Sequence, residues 1–248
     1  GAGSKNRYKL RGLGIRFSDK ERVGIFANSN NLNDNQRAAL NGEWSPQDVG
    51  SGLQTNKSVG AQYIRFLGND FSWFELNSLW NHTNTDNESL SSKQTFLYGG
   101  DAYQHSRYKS LGSADNWTAG SGLYIQKDKY YSINNLSFSY AHSHDLNNSN
   151  IETSDNQSLL NRMLSANSLE SKNIDLNLKN SNGISLIADM IRWDFGITYN
   201  RNTQKNFSLQ DLEYLQHGQP RDYRNQYADC LNQNLKLTAG TSYNWGFR

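Results

Sequence analysis

"RWDFGITYN", residues 192–200, alternates without a fault. Trp193, Phe195, Ile197 and Tyr199 fall on one side of an extended chain, and Arg192, Asp194, Gly196, Thr198 and Asn200 on the other. A period of two marks a strand with one apolar and one polar face. The pattern returns in 235–247, where Leu235, Leu237, Ala239, Thr241, Tyr243, Trp245 and Phe247 alternate with polar residues and glycine. It returns again at Leu136, Phe138 and Tyr140, and at Ile174, Leu176 and Leu178. Trp117, Ala119, Leu123 and Ile125 oppose Thr118, Gly120 and Gly122, and Leu13, Ile15 and Phe17 oppose Gly12, Gly14 and Arg16. Other segments are less regular. Neither face dominates 58–66, and Trp73 and Leu79 interrupt the series Phe74, Leu76 and Trp80. Within 184–203 the apolar parity changes between Met190 and Ile191, as a β-bulge would produce.

Nine strands follow: 8–17, 22–28, 58–66, 71–83, 115–125, 131–144, 172–179, 184–203 and 232–247. Four connections are short, namely 18–21, 67–70, 126–130 and 180–183, and the last, "NSNG", carries the Asn-Gly hairpin signal. The other four, 29–57, 84–114, 145–171 and 204–231, are long. Short and long strictly alternate, which puts all long connections at one end. An outer-membrane barrel has that asymmetry, with short turns inside and long loops outside. A soluble sandwich also alternates, but it has no reason to segregate loop lengths. The first and ninth strands run the same way, so direct closure would pair them parallel. An all-antiparallel barrel needs an even count, and the expectation is an arc of a larger antiparallel transmembrane β-barrel, one all-β segment over 1–248.

Composition agrees. Only 35% of the 248 residues are hydrophobic, yet 12% are aromatic. Asn makes up about an eighth of the chain, and mean hydropathy is −0.84. Disordered chains are poor in aromatics and rich in net charge, whereas this one has a net charge of +2. That balance gives no reason to expect a nucleic-acid partner. No apolar run approaches the ~20 residues of a spanning helix, and no signal peptide is recognisable at Gly1. Cys230 is the single cysteine, so no internal disulfide forms.

A series of motifs carries a resemblance. "IFANSNNLNDNQRAALNGEWSPQDVGSGLQTNKSVGAQY" (25–63) joins an Asn-rich Asn30–Asp34 segment to a Trp-Ser-Pro element at Trp44 and a Gly-Leu-x-Thr at Gly52. "FLYGGDAYQHS" (96–106) and "RDYRNQY" (221–227), followed by "NLKLTAGTSYNW" (234–245), continue it in order. The series resembles the barrel of TonB-dependent receptors and related outer-membrane proteins of Bacteroidota. The resemblance implies a Gram-negative outer-membrane location and a barrel of roughly 22 strands around a plug. It implies import of a scarce nutrient, a plug domain and a TonB-type energiser outside this chain, outer-membrane lipid around it, and a surface lipoprotein partner. No plug and no TonB-interacting segment are recognisable here. A non-transporting surface barrel and a soluble β-rich binding module stay open beside that reading.

No catalytic constellation stands out, so no enzyme and no cofactor are expected. Aromatic residues in the long connections, Trp44, Tyr98, Tyr103, Tyr108, Tyr214 and Tyr223, sit among Asn, Gln and Asp. Such rings suit sugar or peptide ligands, or they pack the loops together. Trp193, Phe195, Ile197, Tyr199, Leu237, Tyr243 and Trp245 are expected to face lipid, with Trp73, Trp80, Trp117, Trp193 and Trp245 as candidates for interfacial girdles. His142 and His144 with Asp145, and Asp86, Glu88 and Asp101, are candidate metal ligands by residue type. The first set has no third ligand and the second lacks calcium-loop spacing, so no metal is expected.

Overall fold

A computed structural model describes residues 6–38, 43–45, 52–68, 71–96, 98, 100–156, 158–186, 189–215 and 218–245. The elements are β1 (Lys9–Phe17), β2 (Glu21–Asn30), β3 (Leu53–Phe66), β4 (Trp73–Thr95), β5 (Ala102–Lys127), β6 (Tyr130–Ser154), β7 (Leu159–Leu186), β8 (Asp189–Tyr214) and β9 (Asp222–Asn244). They form one antiparallel sheet in chain order, with no helix among the described residues. The sheet is open, because β1 and β9 are not paired with each other. Connections 31–52, 96–101, 155–158 and 215–221 lie at one end, and 18–20, 67–72, 128–129 and 187–188 at the other.

Registered pairs share a face, so the ladder assigns every strand residue to one of two sides. One row reads Ile25, Ala61, Ser78, Ala119, Phe138, Leu176, Tyr199, Leu235. The row beside it on that face reads Val23, Tyr63, Leu76, Ser121, Leu136, Leu178, Ile197, Leu237. The opposite face carries Asn28, Ser58, Asn81, Asn116, Ala141, Asn173, Asn202 and Asn232 in one row. The asparagine excess of the composition is thus concentrated on a polar face. No apolar side chain is fully buried among the described residues.

Three sequence expectations are corrected. First, 84–114, 145–171 and 204–231 are largely strand, extending β4–β9 to between 23 and 28 residues. Only 31–52 is a long connection outside the ladder. Second, "NSNG" does not turn. Asn180 and Asn182 lie inside β7, held by a side-chain network in which Ser132 Oγ donates to Asn182 Oδ1 at 2.7 Å and Asn134 Nδ2 donates to Ser132 Oγ at 2.9 Å. Gly183 stays extended because the Tyr131 ring lies across it, leaving no room for a Cβ. The hairpin joins Leu186 to Asp189, which are paired, and crossing it produces the parity change at Met190 and Ile191 without a bulge. Third, Leu13, Ile15 and Phe17 lie on the polar face and Gly12 and Gly14 on the apolar one, since Leu13 pairs with Phe26 and Gly14 with Ile25.

Inserting one glycine after Ser181 should turn the rest of β7 to the wrong face and abolish protease-resistant folding. The same insertion between 187 and 188 should be tolerated.

Candidate functional site on the polar face

The described part of the first long connection, 31–38 and 43–45, lies over the polar face as a strap. Its anchor is Asp34, whose side chain is 1% exposed. Lys9 Nζ reaches its Oδ2 at 2.6 Å, and Arg11 donates to the same oxygen. The β2 asparagines hold the backbone. Asn30 Nδ2 donates to the Asp34 carbonyl at 2.6 Å while its Oδ1 accepts from the Asp34 amide at 3.0 Å. Asn28 Nδ2 donates to the carbonyl of Gln36 at 3.2 Å. Asn33, at φ 59°, closes the strap's other root by donating to the Gly52 carbonyl at 2.6 Å. Burial pushes the Asp34 carboxyl up, but bonds from Lys9, the Gln36 amide and Arg11 outweigh it and hold the group below the usual carboxylate range.

Trp44 completes the strap. It bridges to Ala38 in a short antiparallel pair. Its ring meets Phe26 edge-on at 6.2 Å, and the Arg11 guanidinium lies 4.4 Å from the ring centre. Phe26 in turn lies over Gly60, where an added Cβ would sit 2.3 Å from the ring. Glycine lets an aromatic neighbour cover it in this way. Leu13, Phe26, Leu79, Arg37 and Ala38 line a cavity of about 250 Å³ between strap and sheet. This explains one irregularity of the sequence, because Leu79 breaks the alternation where the polar face has an apolar cover. Trp73 breaks it by stacking on Tyr124 at 4.3 Å, also on the polar face.

The six aromatic ligand candidates do not converge. Trp44 is half-buried within the strap. Tyr108 and Tyr214 lie on the polar face, with Tyr108 donating to Asn147 Oδ1 at 2.7 Å. Tyr103 and Tyr223 lie on the opposite face, and Tyr98 projects from the 96–101 connection. The apolar series is brought together: Trp193, Phe195, Ile197, Tyr199, Leu237 and Tyr243 share the apolar face. Trp245 follows the last strand and is 71% exposed. Of the girdle candidates, Trp80 and Trp117 are direct cross-strand neighbours with Tyr140 next in the row.

His142 and His144 point to the apolar side of β6, bonded to Glu170 and Ser168. Glu88 is paired with Arg107 at 2.7 Å, and Asp101 accepts from Gln94. No metal-binding group of three ligands exists among the described residues. Sequence reasoning missed Lys9, Arg11, Asn28 and Asn30 as partners of Asp34. The asparagine and aspartate four residues apart were the available signal, since such side chains cap local turns.

No family model, curated protein or solved structure matches the chain.

Asp34→Ala should loosen the strap while leaving the ladder intact. Losing a buried, charge-assisted anchor costs about 1–3 kcal/mol, so tryptic cleavage after Arg37 should accelerate about fivefold or more. The depressed Asp34 value makes the clasp strongest above the ordinary carboxylate value of about 3.9. It weakens as pH falls through the lower folded value. The emission difference between the parent protein and Trp44→Phe should therefore be flat from neutral pH down to about 5 and change only below about 4.

Proposed function

We propose that this chain is an arc of an outer-membrane β-barrel wall of the TonB-dependent-receptor type, serving uptake of a bulky nutrient. The observation that carries the reading is the bordered apolar face. Trp117 to Ile125 on β5 and Ile191 to Tyr199 on β8 each carry it over a nine-residue stretch, five residues of which share the face. Nine residues span ~30 Å along a strand, or ~23 Å when tilted by ~40°, close to the ~25 Å apolar band of such barrels. The row Trp80, Trp117, Tyr140 borders it toward the long connection, and Tyr130 and Tyr243 lie toward the short turns. One row beyond the tryptophans the face turns polar at Lys57, His82, Asp115, His142 and Lys172.

In this reading the apolar face meets lipid and the Asn-rich face lines the lumen. Further antiparallel strands beside β1 and β9 complete the wall. Capture occurs at the end bearing the strap, and a plug moved by a periplasmic energiser opens the path. Import itself rests on the motif resemblance. The scatter of the six aromatic candidates, four of them in strands and on both faces, favours a second reading, a non-transporting barrel that holds strap and hairpins for surface contacts.

The two faces differ in their tolerance for charge. An arginine at a lipid-facing midplane site costs ~2–4 kcal/mol, and at a lumen site much less. Phe195→Arg should lower the yield of heat-modifiable, membrane-integrated protein sharply, whereas Thr198→Arg should leave it near normal. Equal yields would speak for a soluble module. Uptake lost on deleting 35–43 at normal surface abundance would support transport over the scaffold.

A further inference from the structure

The polar border beside the tryptophan row is not uniform. Near β4 and β5 its one carboxylate has a partner, with His82 Nδ1 2.9 Å from Asp115 Oδ1. Over β7 and β8 cations prevail. Arg201 stands across from Ile174, Lys172 across from Thr203, and Lys205 across from Glu170, all on the apolar face. His142 stands across from Lys172 and His144 across from Glu170. The acidic groups facing this cluster are Glu170, which engages Lys172 at 2.8 Å and His142 at 3.2 Å, and Asp229, across from Lys205. Arg201 is exposed and makes no hydrogen bond or ion pair among the described residues. Beneath it lie Tyr199, Leu176 and Leu235. On the far side of Lys172 from Arg201, where His142 stands across from it, Trp117, Tyr140, His142 and Asp115 line a depression of about 470 Å³.

We infer that this cluster holds the phosphate of a lipid headgroup, an inference that rests on the apolar face being embedded in lipid. Three cations at one place on the border, one of them unpaired, complement a localised negative charge at headgroup height. A guanidinium presents forked donors to phosphate oxygens. The apolar rows below receive the acyl chains, and the adjoining depression gives a headgroup room against aromatic rings. A headgroup without phosphate would leave Arg201 without a counter-charge, and a zwitterionic one would bring a cation of its own beside it.

The test uses the complete protein inserted into phosphatidylcholine vesicles doped with brominated phosphatidic acid or, as the phosphate-free counterpart, brominated diacylglycerol. Quenching of tryptophan emission reads lipid held at the wall, and protease protection reads insertion. Phosphatidic acid should be enriched over diacylglycerol, and Arg201→Gln with Lys205→Gln should lower that enrichment by up to about 30-fold, taking about fivefold per basic residue near the surface. Lys57→Gln, elsewhere on the same border, should change it little. Normal insertion with equal enrichment in parent and double variant overturns the headgroup site and leaves the barrel reading standing. Failure of the parent to insert overturns both. Displacement of phosphatidic acid by inorganic phosphate at matched ionic strength overturns the lipid assignment in favour of a soluble anion.

Discussion

Everything in this structure hangs on one antiparallel backbone ladder that runs in register from β1 to β9. Its recorded slip is a single register shift at Thr153 and Ser154. No hydrophobic side chain is fully buried among the described residues, so within them no second layer covers the apolar face. Backbone hydrogen bonds fix which residues share a side, and the sides then differ because the sequence alternates. An apolar sheet face of this extent needs a cover. Lipid, the cover proposed here, would also account for its height, its aromatic borders and the polar rows beyond them.

The polar face meets a different requirement. Its amide and hydroxyl side chains bond one another, as where Asp175 accepts from Ser139 at 3.0 Å and from Asn173 at 2.5 Å. Where apolar groups do occur there, at Leu13, Phe26 and Leu79, the strap with Trp44 lies over them. The strap is itself held by Asp34 between two cations and two asparagines. This arrangement joins the described part of the first long connection to the polar side of the sheet, and it ties Trp44 to internal contacts.

Sequence reasoning saw the sheet wherever one face is apolar and the other polar, as from Trp193 to Tyr199. It lost the strands where that contrast vanishes. In "LNNSNIE", 146–152, both sides of β6 are mostly polar, and asparagine is a poor strand former, so a ladder stretch looked like a loop. Asn-Gly at 182–183 looked like a turn because local turn chemistry was legible, while the cross-strand partners Ser132, Asn134 and Tyr131 were not. The face of Leu13 and Ile15 depends on their pairing with Phe26 and Gly24, a long-range fact that periodicity does not contain. The strap was recognisable as irregular chain, but its anchoring by Lys9 and Arg11 required the fold.

What covers the apolar face decides whether this sheet lies in a membrane. Single nitroxide labels at positions 194 to 200, placed one at a time in a Cys230→Ser background of the complete protein in lipid vesicles, would measure it directly. Collisions with oxygen should be high at 195, 197 and 199, and collisions with a water-soluble nickel chelate high at 194, 196, 198 and 200. High nickel collisions at 195, 197 and 199 would contradict the account, and with it every functional reading that places this sheet in a membrane.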